Sequence, residues 1–441
     1  MDLIKVSVVI AAYNSDKYLR TTLDSVLAQT LREIEIICVD DGSSDSTLDI
    51  FAEYAKRDRR IKVFQHVEQT DGAAAARNMG VSQAAGEYLS VLDADDFFEK
   101  DMLEKAYERA KATNADVLLY DGWVYDENIM TDKEADFILR KEYLPSKEVF
   151  EPEEHAEQLF LMTCGAAWNG LFRRSFIEEQ GINFRSFHHA DDLGFVYLAY
   201  ACANTITVMK DKFIHYRKNA GTSQADQVHL WPETCYMALT DLKMSLAKRE
   251  LFIKFSISFA QIVMVYSIFY LDSMKKWSEY KSLYDELKNC RLKTLGVYEI
   301  PDDRFMNKYW ATVRNSMREY SADEFLFRQT RCEEPFNNDE GWERSIQPSA
   351  KIVIYGAGTF GKELFCKIIR SQKFRLMKWV DRNYKEIGYP VVSPEELKNL
   401  SDFIVVVAII SRDIYESVRE YIMAMGISKD KIYWIGDDMN K

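Results

Sequence analysis

The chain lacks the cysteine spacings that build disulfide frameworks and zinc sites. Its seven cysteines are odd in number and scattered, and no two of them form a C-x-x-C pair. Secreted disulfide scaffolds need paired cysteines, and structural zinc sites need closely spaced ligands. The sequence therefore predicts a protein of a reducing compartment, and the expected location is the cytoplasm.

Positive charge is also in deficit. The chain has 57 Lys and Arg against 70 Asp and Glu, a formal net charge of -13. A nucleic-acid-binding protein needs a basic surface to offset phosphate repulsion, so no nucleic-acid partner is expected. A negatively charged substrate must instead be met by local positive charge or by a metal ion.

A signal peptide, an internal repeat and a low-complexity tract are not recognisable either. The opening "MDLIKVSVVIAAYN" has an acidic second residue and a short, β-branched apolar run, so the mature chain is expected to start where it is written.

Residues 251–271 hold a single charge and are long enough to span a bilayer. Lys254, Ser258 and Gln261, however, form a polar stripe at helical spacing. This pattern favours a buried or amphipathic helix, with peripheral contact at the inner face of the cell membrane as an alternative.

What is present is a large folded protein of the α/β class, with 47% hydrophobic and 29% charged residues over 441 positions. Near-continuous apolar runs such as "KVSVVIAAYN" and "EIEIICVDDGS" alternate with helical patterns up to about residue 125, which predicts a parallel sheet flanked by helices. The segments "AAWNGLFRRSFIEEQGINF" and "ADDLGFVYLAYACANTI" are predicted as mixed loop and helix. The expected organisation is an α/β domain, a helical extension, a linker and a smaller α/β domain, at residues 1–225, 226–332, 333–349 and 350–441.

Three predicted strands of the first domain end in polar clusters: "AAYN" at 11–14, "DDGSSD" at 40–45 and "DADD" at 93–96. Each alone is also a good turn or helix-cap sequence. Together they would line one edge of a parallel sheet, where ligands of open α/β sheets collect. The coincidence favours a binding site.

Six motifs in register carry a resemblance: "VSVVIAAYN", "VDDGSSDST", "GAAAARNMG", "GEYLSVLDADD", "WNGLFRRSF" and "ADDLGF". In this order they resemble the inverting glycosyltransferase family 2, whose fold is the GT-A type with a mixed or parallel sheet flanked by helices. The resemblance covers residues 5–225. Ala12 is a departure, because many members have proline there.

The resemblance implies a nucleoside diphosphate sugar as donor, with a UDP-linked sugar expected. It places Ala11, Tyr13 and Asp41 at the base and ribose and Arg77 and Asn78 near the donor. A carboxylate at Asp41 suits the imide N–H of uracil. The alternative for Arg77 is a surface arginine on a helix.

The "DADD" cluster resembles the D-x-D motif of the family. The resemblance gives Asp95 as ligand of Mn²⁺ or Mg²⁺ and Asp93 toward the ribose or the metal, since side chains two apart on an extended segment point the same way. Asp96 faces the other way, as a cap or an acceptor-side residue. The alternative for Asp93 and Asp95 is a purely structural turn.

An inverting transfer also needs a base, and the family position for it corresponds to Asp192, with Asp191 beside it as a second acidic residue. The pair is also a good helix start. The neighbouring His188 and His189 could also act as bases, but two adjacent histidines on a loop are more often without a catalytic role or in contact with the acceptor.

Further family positions concern the donor phosphates and the acceptor. Arg217, with Thr222 and Ser223, resembles the segment that closes over the phosphates. Trp168 and Asn169 are expected on the acceptor side, although a core tryptophan is an equal alternative.

The smaller α/β domain begins with a second motif. Gly356, Gly358 and Gly361 follow a predicted strand, and Asp381 comes 20 residues after the last glycine. This is the context of a dinucleotide fingerprint. The unit resembles the small Rossmann-like nucleotide-binding modules attached to bacterial sugar-modifying enzymes.

The leading hypothesis is a metal-dependent inverting glycosyltransferase acting on a surface polysaccharide or a lipid-linked saccharide, with homo-oligomerisation left open. Two alternatives stand beside it. One is an NAD-dependent sugar-nucleotide oxidoreductase built on the C-terminal glycines. The other is a non-catalytic scaffold that senses nucleotide sugars.

Overall fold

The computed structural model describes residues 3–66, 72–218, 229–274, 276–322, 325, 346–358, 360–361, 364–365, 368, 373–387, 391–409 and 411–437.

The chain divides into two compact units. Unit 1 comprises Met1–Tyr270 and Arg291–Trp310, and unit 2 comprises Leu271–Cys290 and Ala311–Lys441. The helical extension expected at 226–332 is thus shared between the units. Most of the expected linker lies outside the described residues.

Unit 1 is built on a ten-stranded mixed sheet. Its first part alternates strands and helices as predicted: β1 (Val6–Ala12), α1 (Asp16–Leu27), β2 (Ile34–Asp40), α2 (Thr47–Arg57), β3 (Ile61–Gln65), α3 (Ala74–Ser82), β4 (Tyr88–Asp93), β5 (Phe97–Phe98), α4 (Met102–Ala112) and β6 (Val117–Asp126). The elements that follow are β7 (Thr131–Lys133), β8 (Val149–Phe150), β9 (Gly170–Arg173), α5 (Arg174–Gln180), α6 (Asp191–Cys202) and β10 (Ile206–Lys218).

The strand order β3-β2-β1-β4-β9-β6-β10-β5 explains the apolar runs of the sequence. Strands β1 to β4 are parallel, and every residue of β2 is buried, because helices cover both faces. In the register of these strands, Ala11 pairs with Asp93 and Ala12 with Asp40. The three polar clusters therefore do lie along one edge of the sheet.

Strand β9 corrects the prediction of mixed loop and helix for residues 166–184. This four-residue strand inserts between β4 and β6 and is antiparallel to both. Its residues Gly170 to Phe172 are buried, and four residues are too few to show an alternating pattern. The sheet is consequently mixed.

The remaining helices are α7 (Pro232–Lys248), α8 (Phe252–Ser273), α9 (Trp277–Glu286), α10 (Leu292–Leu295) and α11 (Lys308–Glu319).

Among the described residues, α8 is the one helix whose length and hydropathy would allow it to cross a membrane, and 50% of its most apolar window is buried. Two residues of its polar stripe, Ser258 and Gln261, are buried, whereas Lys254 is exposed. Ser258 accepts a hydrogen bond from the Phe160 amide (2.7 Å), and the Gln261 side chain bonds the Glu157 carbonyl and the Met306 amide (2.7 Å each). These contacts support the buried-helix alternative.

Unit 2 contains a five-stranded parallel sheet, which confirms the predicted small α/β unit. Its elements are β11 (Lys351–Tyr355), β12 (Arg375–Val380), α12 (Tyr384–Ile387), β13 (Val391–Val392), β14 (Ile404–Val407), α13 (Arg412–Ala424) and β15 (Ile432–Trp434). The order β13-β12-β11-β14-β15 is the 3-2-1-4-5 order of a doubly wound sheet. Two separate apolar clusters cover its opposite faces.

Candidate active site

Arg77 on α3 joins two acidic groups that are far apart in the sequence. Its guanidinium donates to Asp93 (2.7 Å), to Asp191 (2.7 Å) and to Asp192 (2.6 Å). Burial of the guanidinium acts to lower its pKa, but the three carboxylates raise the pKa well above its ordinary value. Arg77 is therefore a permanent buried cation, and the surface alternative does not apply.

Asp192 combines burial with a tight hydrogen-bond environment. Its Oδ1 accepts from Arg77, and its Oδ2 accepts from the Ala167 amide at 3.0 Å. Burial raises the pKa of Asp192 to about 7, against the opposing charge of Arg77. Burial also raises the pKa of Asp191. A carboxylate that changes protonation near neutral pH suits a general base.

Both carboxylates of the acidic pair lie in the first turn of α6, as the helix-start alternative predicts. The helix begins at Asp191 after Ala190, which has a positive φ of 61°, and no side chain makes a cap hydrogen bond there. Both carboxylates also accept hydrogen bonds from Arg77. Of the neighbouring histidines, His188 stacks on Trp231, with ring centroids 4.0 Å apart.

We expect the stability of the metal-free protein to fall as the pH rises from about 4 to about 7. The Asp192 pKa is about 7 in the folded state but about 4 in the unfolded state, so the folded state binds more protons in this window. The free energy of unfolding should drop by up to about 1.4 kcal/mol per pH unit from this group. Urea unfolding at several pH values measures the slope. Asp192→Asn should flatten it, the exposed control Asp49→Asn should not, and equal slopes in all three would contradict the assignment.

The loop that precedes the acidic pair is anchored to α3. The Asn78 side chain donates to the Phe184 carbonyl and accepts from the Phe184 amide, both at 2.9 Å. Gly72 has φ +75°, and a Cβ there would lie 2.0 Å from the Phe187 carbonyl oxygen. Both hydrogen bonds of Asn78 go to the main chain of Phe184, so Asn78 positions the loop, and its predicted place near the donor stays a prediction.

In the "DADD" cluster, the third and fourth residues lie in different environments. Burial, followed by the charge of Asp93, raises the pKa of Asp95 to about 6. Asp96 is fully buried, and its Oδ1 accepts from the Arg217 amide at 2.8 Å. Asp96 thus ties β10 to the loop, as its cap alternative would have it, and its place on the acceptor side stays a prediction.

Arg217 clamps the same loop from β10. Its Nε donates to the Asp95 carbonyl (2.7 Å), and its guanidinium forms an ion pair with Glu127. The rings of Tyr18, Phe97 and Tyr125 surround the guanidinium at 4.5–5.4 Å.

The clamp leaves Arg217 only 5% exposed. The phosphate contact of Arg217 stays a prediction, and Thr222 and Ser223 lie outside the described residues.

At the carboxyl ends of β1 and β2, the structure adds a residue that the sequence reasoning missed. Tyr13 is 61% exposed beside the ends of β1 and β2, where Ala11 and Asp41 also lie. Asp41 shares a 2.7 Å hydrogen bond with Nδ1 of His66. His66 directly follows β3, so the parallel order of β1, β2 and β3 would have predicted that it lies at the same edge of the sheet as Asp41.

Trp168 and Asn169 belong to the core rather than to an open acceptor surface. Trp168 is 5% exposed and stacks on Tyr216, and Asn169 is fully buried and donates to the Ile138 carbonyl. The burial of Trp168 agrees with its core alternative, and the acceptor-side role of both residues stays a prediction.

The donor set for a metal is small. Among the residues that the structure describes, no group of three or more His, Cys, Asp or Glu is arranged to hold a metal ion. Asp93 and Asp95 nevertheless fit Mg²⁺ or Mn²⁺, which are commonly held by one or two carboxylates together with substrate phosphates and water. Burial, followed by the charge of Asp93, disfavours the ionised form of Asp95 and raises its pKa, and a bound cation would offset this.

Comparison with known proteins gives the family. The sequence profile described as "Glycosyl transferase family 2" matches residues 7–181. Glycosyltransferase GlyG of Streptococcus pneumoniae is 31% identical over 228 residues, 49% of this chain and 72% of GlyG. This chain belongs to glycosyltransferase family 2. EpsH of Bacillus subtilis is 35% identical over 217 residues, but the match spans only 48% of this chain and 60% of EpsH.

The fold agrees with this family. The crystal structure of Staphylococcus aureus TarS 1–349 in complex with UDP-GlcNAc superposes with a TM-score of 0.54 at 22% identity, over 73% of this chain and 89% of that one. This likeness concerns the fold alone. In unit 2, residues 348–433 match a profile described as "C2185-like, N-terminal".

Proposed function

We propose that this family 2 member transfers a sugar, with inversion, from a UDP-linked donor to a saccharide acceptor, with the help of a divalent metal ion. The observation that carries the proposal is the buried Arg77, which holds Asp192 next to Asp93 of the D-x-D motif. A direct displacement at a sugar carbon needs a base for the attacking hydroxyl and positive charge for the leaving group. Arg77 brings the proposed base and the proposed metal-binding segment together.

Donor recognition is assigned to the edge formed by β1 and β2. Asp41 would accept the imide N–H of uracil, with His66 holding one of its carboxylate oxygens at 2.7 Å. The exposed ring of Tyr13 is free to pack on the base or ribose. The UDP-GlcNAc complex of TarS, a protein of the same fold, supports a uridine nucleotide.

Asp93 and Asp95 would hold Mn²⁺ or Mg²⁺ together with donor phosphate oxygens. A bound divalent cation would neutralise the charge that develops on the departing nucleoside diphosphate. Two arginines hold these aspartates in position: Arg217 donates to the Asp95 carbonyl, and Arg77 donates to the Asp93 carboxylate.

The proposed role of Asp192 is to take the proton from the attacking hydroxyl. Arg77 and the Ala167 amide each occupy one oxygen of its carboxylate, which fixes the plane of the group. Each oxygen keeps a second lone pair for the incoming proton. Because burial raises the Asp192 pKa to about 7, the group is a stronger base than an exposed aspartate.

The acceptor class rests on the family resemblance: a growing surface polysaccharide or a lipid-linked saccharide. A cytoplasmic protein working at the inner face of the membrane would fit such an acceptor.

The donor site is tested by thermal unfolding of the full chain with UDP, GDP, CDP and NAD, each with and without Mn²⁺. UDP with Mn²⁺ at about 100 times its dissociation constant should stabilise the binding unit by about 2.7 kcal/mol. Asp95→Ala should abolish the metal-dependent part, because it removes a proposed ligand, and the exposed control Asp211→Ala should keep it. If UDP gives no shift with or without metal, the proposal fails.

A further inference from the structure

Helix α7 buries one face and leaves the opposite face exposed. Leu239, Leu242 and Leu246 are buried on the inner side, where α7 contacts α6. On the outer side, Met237 is 51% exposed and Met244 is 67% exposed. The two methionines are two helical turns apart, so they lie in one line along the helix. The exposed side of α7 is therefore apolar in its middle part.

Charged residues of opposite sign stand at the two ends of this line. Glu233 lies in the first turn of α7, one turn before Met237, and Lys248 ends the helix, one turn after Met244. Both charged residues are exposed, and neither forms an ion pair with a residue that the structure describes. These four residues are called the outward face of α7 below.

The outward face is symmetric in position but opposite in charge. Met237 and Met244 are equally far from its middle, and so are Glu233 and Lys248. If a second copy of α7 lies across it in the antiparallel direction, each Met237 meets the partner subunit's Met244. Each Glu233 then meets the partner subunit's Lys248. A parallel arrangement would bring like charges together at both ends, so charge complementarity selects the antiparallel one.

The middle of the face is compatible with such a pairing. Asp241 lies beside the expected two-fold axis, but its carboxylate is compensated within its own chain, 3.3 Å from Nε of Arg185. Two copies would therefore bring no unpaired negative charge to the axis. An anionic membrane fits this helix less well, because membrane-surface helices are rich in lysine and arginine along their polar side, and here an exposed glutamate balances the lysine.

We propose that two copies of this chain associate through the outward face of α7, with the helices antiparallel about a two-fold axis. Met237 and Met244 form the apolar centre, a role that suits flexible methionine side chains. Glu233 and the partner subunit's Lys248 form an ion pair at each end. Because a helix of this length spans only about 25 Å, the interface is small and the dimer is expected to be weak. The inference is independent of the function proposed for unit 1.

The test is sedimentation velocity of the full chain over about 1–100 µM, a range that covers weak dimers. The wild type should shift from monomer to dimer as the concentration rises. Met244→Glu should weaken association at least tenfold, because it places a charge in the apolar centre, and its thermal unfolding should stay unchanged because the side chain is exposed. Met130→Glu is the matched control: Met130 is 74% exposed directly before β7 and should leave association unchanged.

Reversal of the end charges tests the orientation of the two helices. Glu233→Lys alone and Lys248→Glu alone each create like charges at both ends of the antiparallel pair, so each should weaken association. An equimolar mixture of the two variants should associate again, because each end then has one carboxylate and one ammonium group. The double variant Glu233→Lys/Lys248→Glu should also recover association.

Any of three results overturns the proposal. The first is a wild-type chain that stays monomeric over the whole range. The second is wild-type association in Met244→Glu and in both single charge variants. The third is a chain that stays monomeric but binds vesicles of anionic lipid and loses this binding in Met244→Glu, which would identify a membrane as the occupant of the face.

Discussion

Asp192→Asn is expected to lower the turnover number by about 10²–10⁴-fold, the range that a general base contributes. The amide has nearly the shape of the carboxylate but cannot take a proton from the acceptor hydroxyl. Affinity for UDP with Mn²⁺ should change little, because Asp192 is not assigned to the donor. The measurement is UDP release from a UDP-sugar in the presence of saccharide acceptors, with donor affinity determined in parallel.

Asp191→Asn is the matched comparison for this prediction. Both carboxylates accept from the same Arg77 nitrogen, so both amides perturb the ion cluster in a similar way. A much smaller loss for Asp191→Asn supports Asp192 as the base. If the loss at Asp191 is the larger one, the roles of the two residues are reversed.

Arg77→Gln is expected to cost about 3–5 kcal/mol in the free energy of unfolding at pH 8, because it leaves buried carboxylates without their cation. Asp93, Asp191 and Asp192 would then repel one another. The loss should be smaller at pH 5, where Asp192, whose pKa is already raised to about 7, is protonated. Turnover should fall as well, since Arg77 holds the base and the metal-binding segment together. Urea unfolding at the two pH values gives the first result, and UDP release gives the second.

Arg20→Gln is the control for the loss of a surface ion pair. Arg20 pairs with Glu53 at 2.7 Å, but half of its side chain is exposed, so the expected loss in the free energy of unfolding is far smaller than for Arg77→Gln. Arg77→Lys should recover only part of the stability, because one ammonium group does not match the fork geometry of guanidinium. Equal losses in the free energy of unfolding for Arg20→Gln and Arg77→Gln would show that the buried ion cluster stabilises the fold no more than a surface ion pair, which would contradict the prediction.

The sheet of unit 1 was predictable where the local pattern and the topology agree. Strands β1 and β2 are buried on both faces, so their sequences are nearly continuous apolar runs, and their parallel order places Ala11, Asp41 and Asp93 on one edge. The periodicity of α1 to α3 was equally clear. Strand β9 escaped prediction because its four residues are too short for a period and it enters the sheet from a distant part of the chain.

The candidate site was harder to predict because its contacts are long-range. A single sequence shows that Arg77 and Asp192 exist, but their 115-residue separation is closed only by tertiary packing. The same limit explains Asp96 and Asn169, which were assigned to the acceptor side and are fully buried. Polar residue types suggest exposure, but each of these side chains is buried and forms one hydrogen bond with a main-chain group.

The position of Arg77 also has a consequence for the nascent chain. The strand ends from β1 to Asp93 leave the ribosome well before Asp191, which lies 114 residues beyond Arg77. A chain that stops in between would carry the proposed donor and metal residues without the proposed base. The complete set of proposed residues therefore exists only after β9 and the start of α6 have been made.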